Sequence, residues 1–433
     1  MLKENLWVGR KDKFGQSKNG FMKIHLVLTS AFFLIYQMFG LPGFGQENIL
    51  TKAKKIHKEV YTVDSHNDTP MSFGDADFNM AERHDVKKGG SRMDFPRMKE
   101  GGLDGAFFAV FSGQGALTDE GRQNAYQRAK STYDNIYKVA AVNSAVAGIA
   151  LTSKDGYRLE KEGKTSMFIG MENGYPLGLD ISRIREFYNL GTRYITLCHS
   201  KNNDICDSST DKAGPLHNGL SDFGKLVVAE MNRLGIMVDV SHMSDKSFND
   251  VIATSKVPVI ASHSCAKALC DNPRNLTDEM LVALAKNGGV IQMCILSAYV
   301  RSPEPNPARD SAENGLRQKF GDWSKLSPED QKVARAAYTA VRQKYPEKMA
   351  AVSDMVDHID HIVKTAGIDH VGIGTDFDGG GGLADCTDAS QMGNITLELV
   401  KRGYTQKEIE KIWSGNLFRV LNEVESYASK QKK

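Results

Sequence analysis

Past residue 50 the chain alternates short apolar runs with longer stretches in which apolar residues recur every three or four positions. The short runs suit buried strands and the longer ones amphipathic helices, so their alternation predicts βα units around a parallel sheet. Eight runs qualify as strands: Tyr61 to Asp64, Gly105 to Phe111, Ser166 to Met171, Tyr194 to Leu197, Ile236 to Val240, Val257 to Ala261, Val290 to Cys294 and Val371 to Gly374. Between them Ser221-Asp222 predicts a helix start and Gly235 its left-handed end; Ser244 and Thr277 open further helices, and Ser353 opens one stopped by Gly367. Eight strands separated by helices predict an α/β fold of the (β/α)8 barrel type. A doubly wound sheet is disfavoured, because no Gly-rich dinucleotide fingerprint follows the first strand. Residues 301 to 350 break the rhythm; they are polar and Pro-punctuated, then helical, and are predicted to be an insertion on the loop face.

In such a barrel the active site lies at the C-terminal ends of the strands. The first run ends in His66 and Asp68, the third in Glu172, the fourth in His199, the fifth in His242, the sixth in His263 and the eighth in Asp376. Singly, each has an ordinary reading as a helix cap, a loop hydrogen bond or turn chemistry. Together they put four of the eleven histidines on one rim. His57, His84, His217, His358, His361 and His370 lack that setting and are expected to be structural. Three or more imidazoles with two carboxylates exceed what one catalytic zinc uses, so two metals share them better, and a carboxylate such as Glu172 can bridge. Nitrogen and oxygen ligands suit zinc, with manganese or iron as alternatives. Asp64 is a candidate hydrogen-bond partner for a ligand beside it, or for nearby backbone.

Composition narrows the classes. The chain has 433 residues, 41% hydrophobic, with a formal net charge of +2 and no long block of like charge, so nothing marks a nucleic-acid surface. Met22 begins a basic start, an apolar core from Leu26 to Tyr36 and a small-residue site at Gly43-Phe-Gly45. Residues 1 to 45 are therefore expected to be an N-terminal extension with a secretory signal, leaving 46 to 433 as a secreted or periplasmic barrel domain without a membrane span. The alternative is an uncleaved anchor. The six cysteines form no CxxC pair and their pairing is not deducible from spacing.

The segments VDSHND, GMEN, LCHS, DVSH, SHS followed by NPRN, and DHVGIGTDFDGG, in that order, resemble the membrane dipeptidase (renal dipeptidase) family of zinc metallopeptidases, over about residues 55 to 425. The resemblance implies two zinc ions per chain. His66 and Asp68 would hold one, His242 and His263 the other, and Glu172 would bridge them. It implies that a metal-bridging hydroxide attacks the peptide carbonyl of a dipeptide, that His199 contacts the carbonyl oxygen, that Asp376 carries the proton, and that Arg274 clamps the substrate's free C-terminal carboxylate. A homodimer is implied as well. The chain departs from the family where Gln292-Met-Cys-Ile-Leu296 replaces an Asn-Phe-Tyr segment, so a tyrosine contact is lost or supplied elsewhere. Two other functions are weighed: a binuclear metal hydrolase of another amide, lactam or lactone, and a non-catalytic periplasmic binding protein.

Overall fold

The computed structural model describes residues 44–321, 326–346 and 348–431. Residues 1–50 and 51–433 form separate compact units; of the first, only the opening of the helix Phe44–Glu59 is described. The expected signal core, Leu26 to Tyr36, lies outside the described residues. No helix among the described residues is long and apolar enough to cross a membrane.

Nine parallel strands form the sheet: β1 (Val63–Asn67), β2 (Gly105–Phe111), β3 (Ala147–Ile149), β4 (Thr165–Glu172), β5 (Thr192–Thr196), β6 (Met237–Asp239), β7 (Ile260–Ser264), β8 (Val290–Met293) and β9 (Val371–Ile373). Eight of them follow one another in the order β1-β2-β4-β5-β6-β7-β8-β9, with β3 pairing β4 off this path. The ring closes where Asp376 N donates to His66 O (2.9 Å) and Asp68 N to Phe377 O (2.8 Å). This is the expected (β/α)8 barrel, with β3 an unforeseen addition.

Alternation along the strands sorts the core into two layers. Val63, Phe107, Phe168, Tyr194, Met237, Ile260 and Val290 form one cluster inside the barrel, joined by Leu417, Phe418, Leu421 and Val424 of the helix Asn416–Gln431. Those four residues recur at helical spacing, so one helix face packs on the barrel's lower interior. Residues of opposite parity, such as Phe108, Ile169, Ile195 and Ile291, pack outward against the helices.

Helix boundaries follow the capping chemistry. Ser221 caps Asp222–Leu234 by accepting from Gly224 N, and Gly235 ends it at φ 89°. Ser244 and Thr277 cap Asp245–Thr254 and Asp278–Lys286 in the same way. The helix expected from Ser353 begins at Val352, because Asp354 accepts from Ala351 N instead. Between β8 and β9 the helices Pro307–Phe320 and Pro328–Lys344 pack on each other. All six cysteines are buried, free thiols.

Candidate metal centre

Two strands start later than their apolar runs, and this changes where the histidines sit. Pro258 has no N–H for a ladder, and Val259 N is taken by Asn287 Oδ1, so β7 begins at Ile260 and contains His263. Thr62 N is likewise taken by Asp104, so β1 begins at Val63; it runs to Asn67 and contains His66. By alternation from Val63 and Ile260 both imidazoles would face outward. Each strand has a register shift at that point, between Asp64 and Asn67 on β1 and between Ala261 and Ser264 on β7. Such irregularities re-aim a side chain, and both rings turn into the barrel, stacked with centroids 3.9 Å apart.

Glu172, the last residue of β4, stands at the centre. Its Oε2 lies 3.7 Å from His66 Nε2. Its other oxygen, Oε1, lies 3.0 Å from His242 Nε2, 3.5 Å from His263 Nε2 and 3.7 Å from His199 Nε2. His66 Nε2 is also 3.6 Å from Asp68 Oδ2. Three groups of side chains are close enough to hold a cation: His66, Glu172 and His263; Glu172, His199 and His242; and His66, Asp68 and Asp376. All the strand-end residues singled out from the sequence thus meet at one place, and His199 and Asp376 approach as closely as the expected ligands.

The residues fit a metal. His242 and His263 bring Nε2 to within 2.9 Å of Nε2, and His66 Nε2 and Asp68 Oδ1 are buried without a hydrogen-bond partner. A buried polar atom left so costs about 1–3 kcal/mol, and a cation satisfies several at once. Electrostatics agree. Burial, and next the Asp68 charge, raise Asp376 to about 8 and hold Glu172 well above its ordinary range. Burial would depress His66, but Glu172 and Asp68 outweigh it and draw a positive charge onto the ring, raising it to about 10. Burial and then Arg274 lower His199 to about 4 and hold His242 well down; for His263 burial and His66 do so. Neutral imidazoles are the form that binds metals, which suits His199, His242 and His263, whereas at His66 a cation takes the place of the proton that Glu172 and Asp68 attract.

The supporting shell was not singled out from the sequence. Tyr194 Oη meets His66 Nδ1 at 2.8 Å, and Ser262 Oγ meets His263 Nδ1 at 2.8 Å while donating to Asp239. Tyr194, Asp239 and Ser262 share interior parity with Met237 and Ile260, and polar residues at such positions inside apolar strands were the available signal. Asp64 accepts from Thr375 N and Oγ1 and from His66 N, so it holds backbone rather than an imidazole. Asp376 and His242 adopt φ of 59° and 71°, sharp turns just past the strand ends. Beside them Gly379 leaves room that no side chain could, since a Cβ there would stand 2.1 Å from Asp68 Oδ2.

Above the cluster lies a cavity of about 190 Å³ whose wall adds Met71, Phe111, Leu296 and Tyr299 to the polar residues. Arg274 is one layer back. Its guanidinium sits 5.4 Å from the Tyr299 ring centroid, donates to His263 O, and keeps a buried Nε without a partner. Among the described residues Tyr299 is the only tyrosine on that wall, three residues beyond the segment where the resembled family carries its own.

A closed parallel barrel with buried imidazoles and carboxylates gathered at the C-terminal ends of its strands defines a metal-dependent hydrolase. The sequence profile of the membrane dipeptidase family (peptidase family M19) matches residues 50–433, and the chain belongs to that family of metallopeptidases. It is 30% identical over 413 residues to dipeptidase ataJ of Aspergillus terreus, covering 89% of this chain and 90% of that one. It is 32% identical to dipeptidase tcpJ of Claviceps purpurea, covering 85% and 78%. The crystal structure of the probable dipeptidase PvdM from Pseudomonas aeruginosa superposes with a TM-score of 0.77 at 31% identity, over 88% of this chain and 99% of that one.

Proposed function

We propose that the protein is a zinc dipeptidase that hydrolyses dipeptides with a free C-terminal carboxylate. The observation that carries this reading is the division of Glu172, whose Oε2 faces His66 while Oε1 faces His242 and His263. His66 with Asp68 would hold one cation, His242 with His263 a second, and Glu172 would be shared. When bound, such a pair supplies water activation and polarisation of the scissile carbonyl.

The chain's own residues do the rest. Asp376 carries a proton at its carboxylate to the leaving amine, a role that its place in the cavity wall beside Asp68 allows. His199, at the cavity wall, holds the carbonyl oxygen as its charge grows. Arg274, whose buried Nε has no partner and whose guanidinium lies 5.4 Å from the Tyr299 ring centroid, would take the substrate carboxylate. A cavity of about 190 Å³ limits what is bound to a small unit. Residues 1 to 45 are taken as the export signal, residues 301 to 350 as an insertion in the barrel, and the working form as a homodimer outside the cytoplasm.

Metal analysis of undialysed protein, with assays on a panel of L,L and L,D dipeptides, tests the reading. About two zinc ions per chain and turnover of free dipeptides are expected. Hydrolysis confined to lactams, lactones or blocked amides would replace the substrate class, and protein free of metal and activity would leave a binding protein. Arg274→Ala is expected to raise KM for dipeptides about 10- to 100-fold with a smaller change in kcat, the loss of one charge-assisted contact.

A further inference from the structure

A second, larger hollow of about 1070 Å³ adjoins the catalytic cavity, and Gly379 lines both. Its walls are cationic: Lys87, Lys88 and Arg92 come from the loop before β2, and Lys332, Arg335 and Arg342 from the helix Pro328–Lys344. Positions 332, 335 and 342 fall at helical spacing and share one face, so the helix turns a basic stripe toward the groove. The two walls are tied together, since Gln343 Nε2 donates to Lys87 O at 3.2 Å.

Among the described residues, the carboxylates nearby leave the charge of Lys87 and Lys332 uncancelled and that of Lys88 and Arg342 only weakly offset. Among the described residues Asp378 is the one acid in the lining, and its oxygens are engaged by Arg92 N (2.7 Å), Ser91 Oγ and Thr69 Oγ1 (2.8 Å). Lys88 faces Asp85 at 3.4 Å and Arg342 faces Glu313 at 3.7 Å, both exposed pairs of small energetic weight. Among the described residues Lys87 and Lys332 pair with no carboxylate. A cleft lined by one sign of charge concentrates ligands of the opposite sign.

We propose that this groove is a subsite for an anionic extension of the substrate, so that the preferred substrates are dipeptides carrying a carboxylate or comparable anion on a long side-chain substituent. The inference rests on the dipeptidase reading. The small cavity takes the scissile unit; what is attached to it leaves past Gly379 into the basic groove.

The test uses two matched ligands, lysyl-N-methylalanine bearing Nε-succinyl or Nε-acetyl, which differ in one terminal carboxylate and resist cleavage. Titration calorimetry on the zinc-loaded protein at low salt is expected to give about 10-fold tighter binding of the succinyl form, shrinking severalfold at about 0.5 M salt through screening. In Lys332→Gln/Arg342→Gln, folded as judged by its melting curve, the ratio is expected to fall toward one. Equal affinities in the unmodified protein, no measurable binding of the succinyl ligand, or a ratio that persists in the double variant would each overturn the proposal. Turnover of Nε-acetyl-lysyl-alanine reports on the dipeptidase reading alone.

Discussion

At the residue scale, the two carboxylates at the centre are proposed to have different jobs and should then fail differently. Asp376 lies 3.8 Å from the Cys294 thiol and beside Asp68, in a left-handed conformation that Asn also tolerates. Asp376→Asn therefore removes charge and proton affinity without adding backbone strain. It is expected to keep metal content near normal while kcat falls roughly 10²- to 10⁴-fold. Glu172→Gln removes one of the two oxygens that face separate imidazole sets, and is expected to lose metal as well as turnover. Metal analysis alongside kcat separates the two, and the reverse pattern would exchange their roles. Much of this was legible in the chain, because a polar residue ending an apolar run announces itself. Tyr299 was not, since nothing in its local sequence says that the loop after β8 folds back over Glu172.

At the element scale, the strands do more than carry ligands. Gly170 on β4 stands opposite Tyr194 on β5, and a Cβ at Gly170 would come within 2.1 Å of the Tyr194 ring. Because Tyr194 holds His66 Nδ1, Gly170→Ala should cost about 1–3 kcal/mol of stability by overpacking. It should also weaken metal binding; a drop in melting temperature with zinc affinity unchanged would unlink the two. A second element-level contact ties the helix Val352–Ala366 to the barrel: His358 accepts from Ala266 N at Nδ1 and gives Nε2–H to Val300 O. Burial lowers the proton affinity of His358. Its neutral form is thus favoured in the folded state, and its stabilisation is present above the unfolded value near 6.5 and lost as pH falls below it. His358→Gln should be less stable than the parent at pH 7.5 by about 1–2 kcal/mol. That gap should narrow by pH 5.5 in paired melting curves, and a constant gap would rule the linkage out. The order and type of elements were readable because periodicity and caps are local. The late starts of β1 and β7 were not, because which N–H groups join a ladder depends on Asp104 and Asn287, distant in sequence.

At the scale of the whole molecule, the cluster couples metal to folding. Side chains from β1, β4 and β7 and from the loops after β1, β5, β6 and β9 converge on it, so a cation that binds only the assembled barrel stabilises all of it. Metal-stripped protein titrated with zinc should gain roughly 2.7 kcal/mol when zinc reaches about 100 times its Kd. A melting temperature indifferent to zinc would contradict a shared site. The seam of the barrel carries a further consequence. His66 and Asp68 are secured by hydrogen bonds to residues 376 and 377, and Asp64 reaches Thr375 across 311 positions. Contacts of such high order form slowly, since a long loop must close first. A growing polypeptide thus carries its earliest ligands for most of synthesis before their partners exist. On the proposed roles, hydrolytic competence waits until residues 375 to 377 are made and can join the ring.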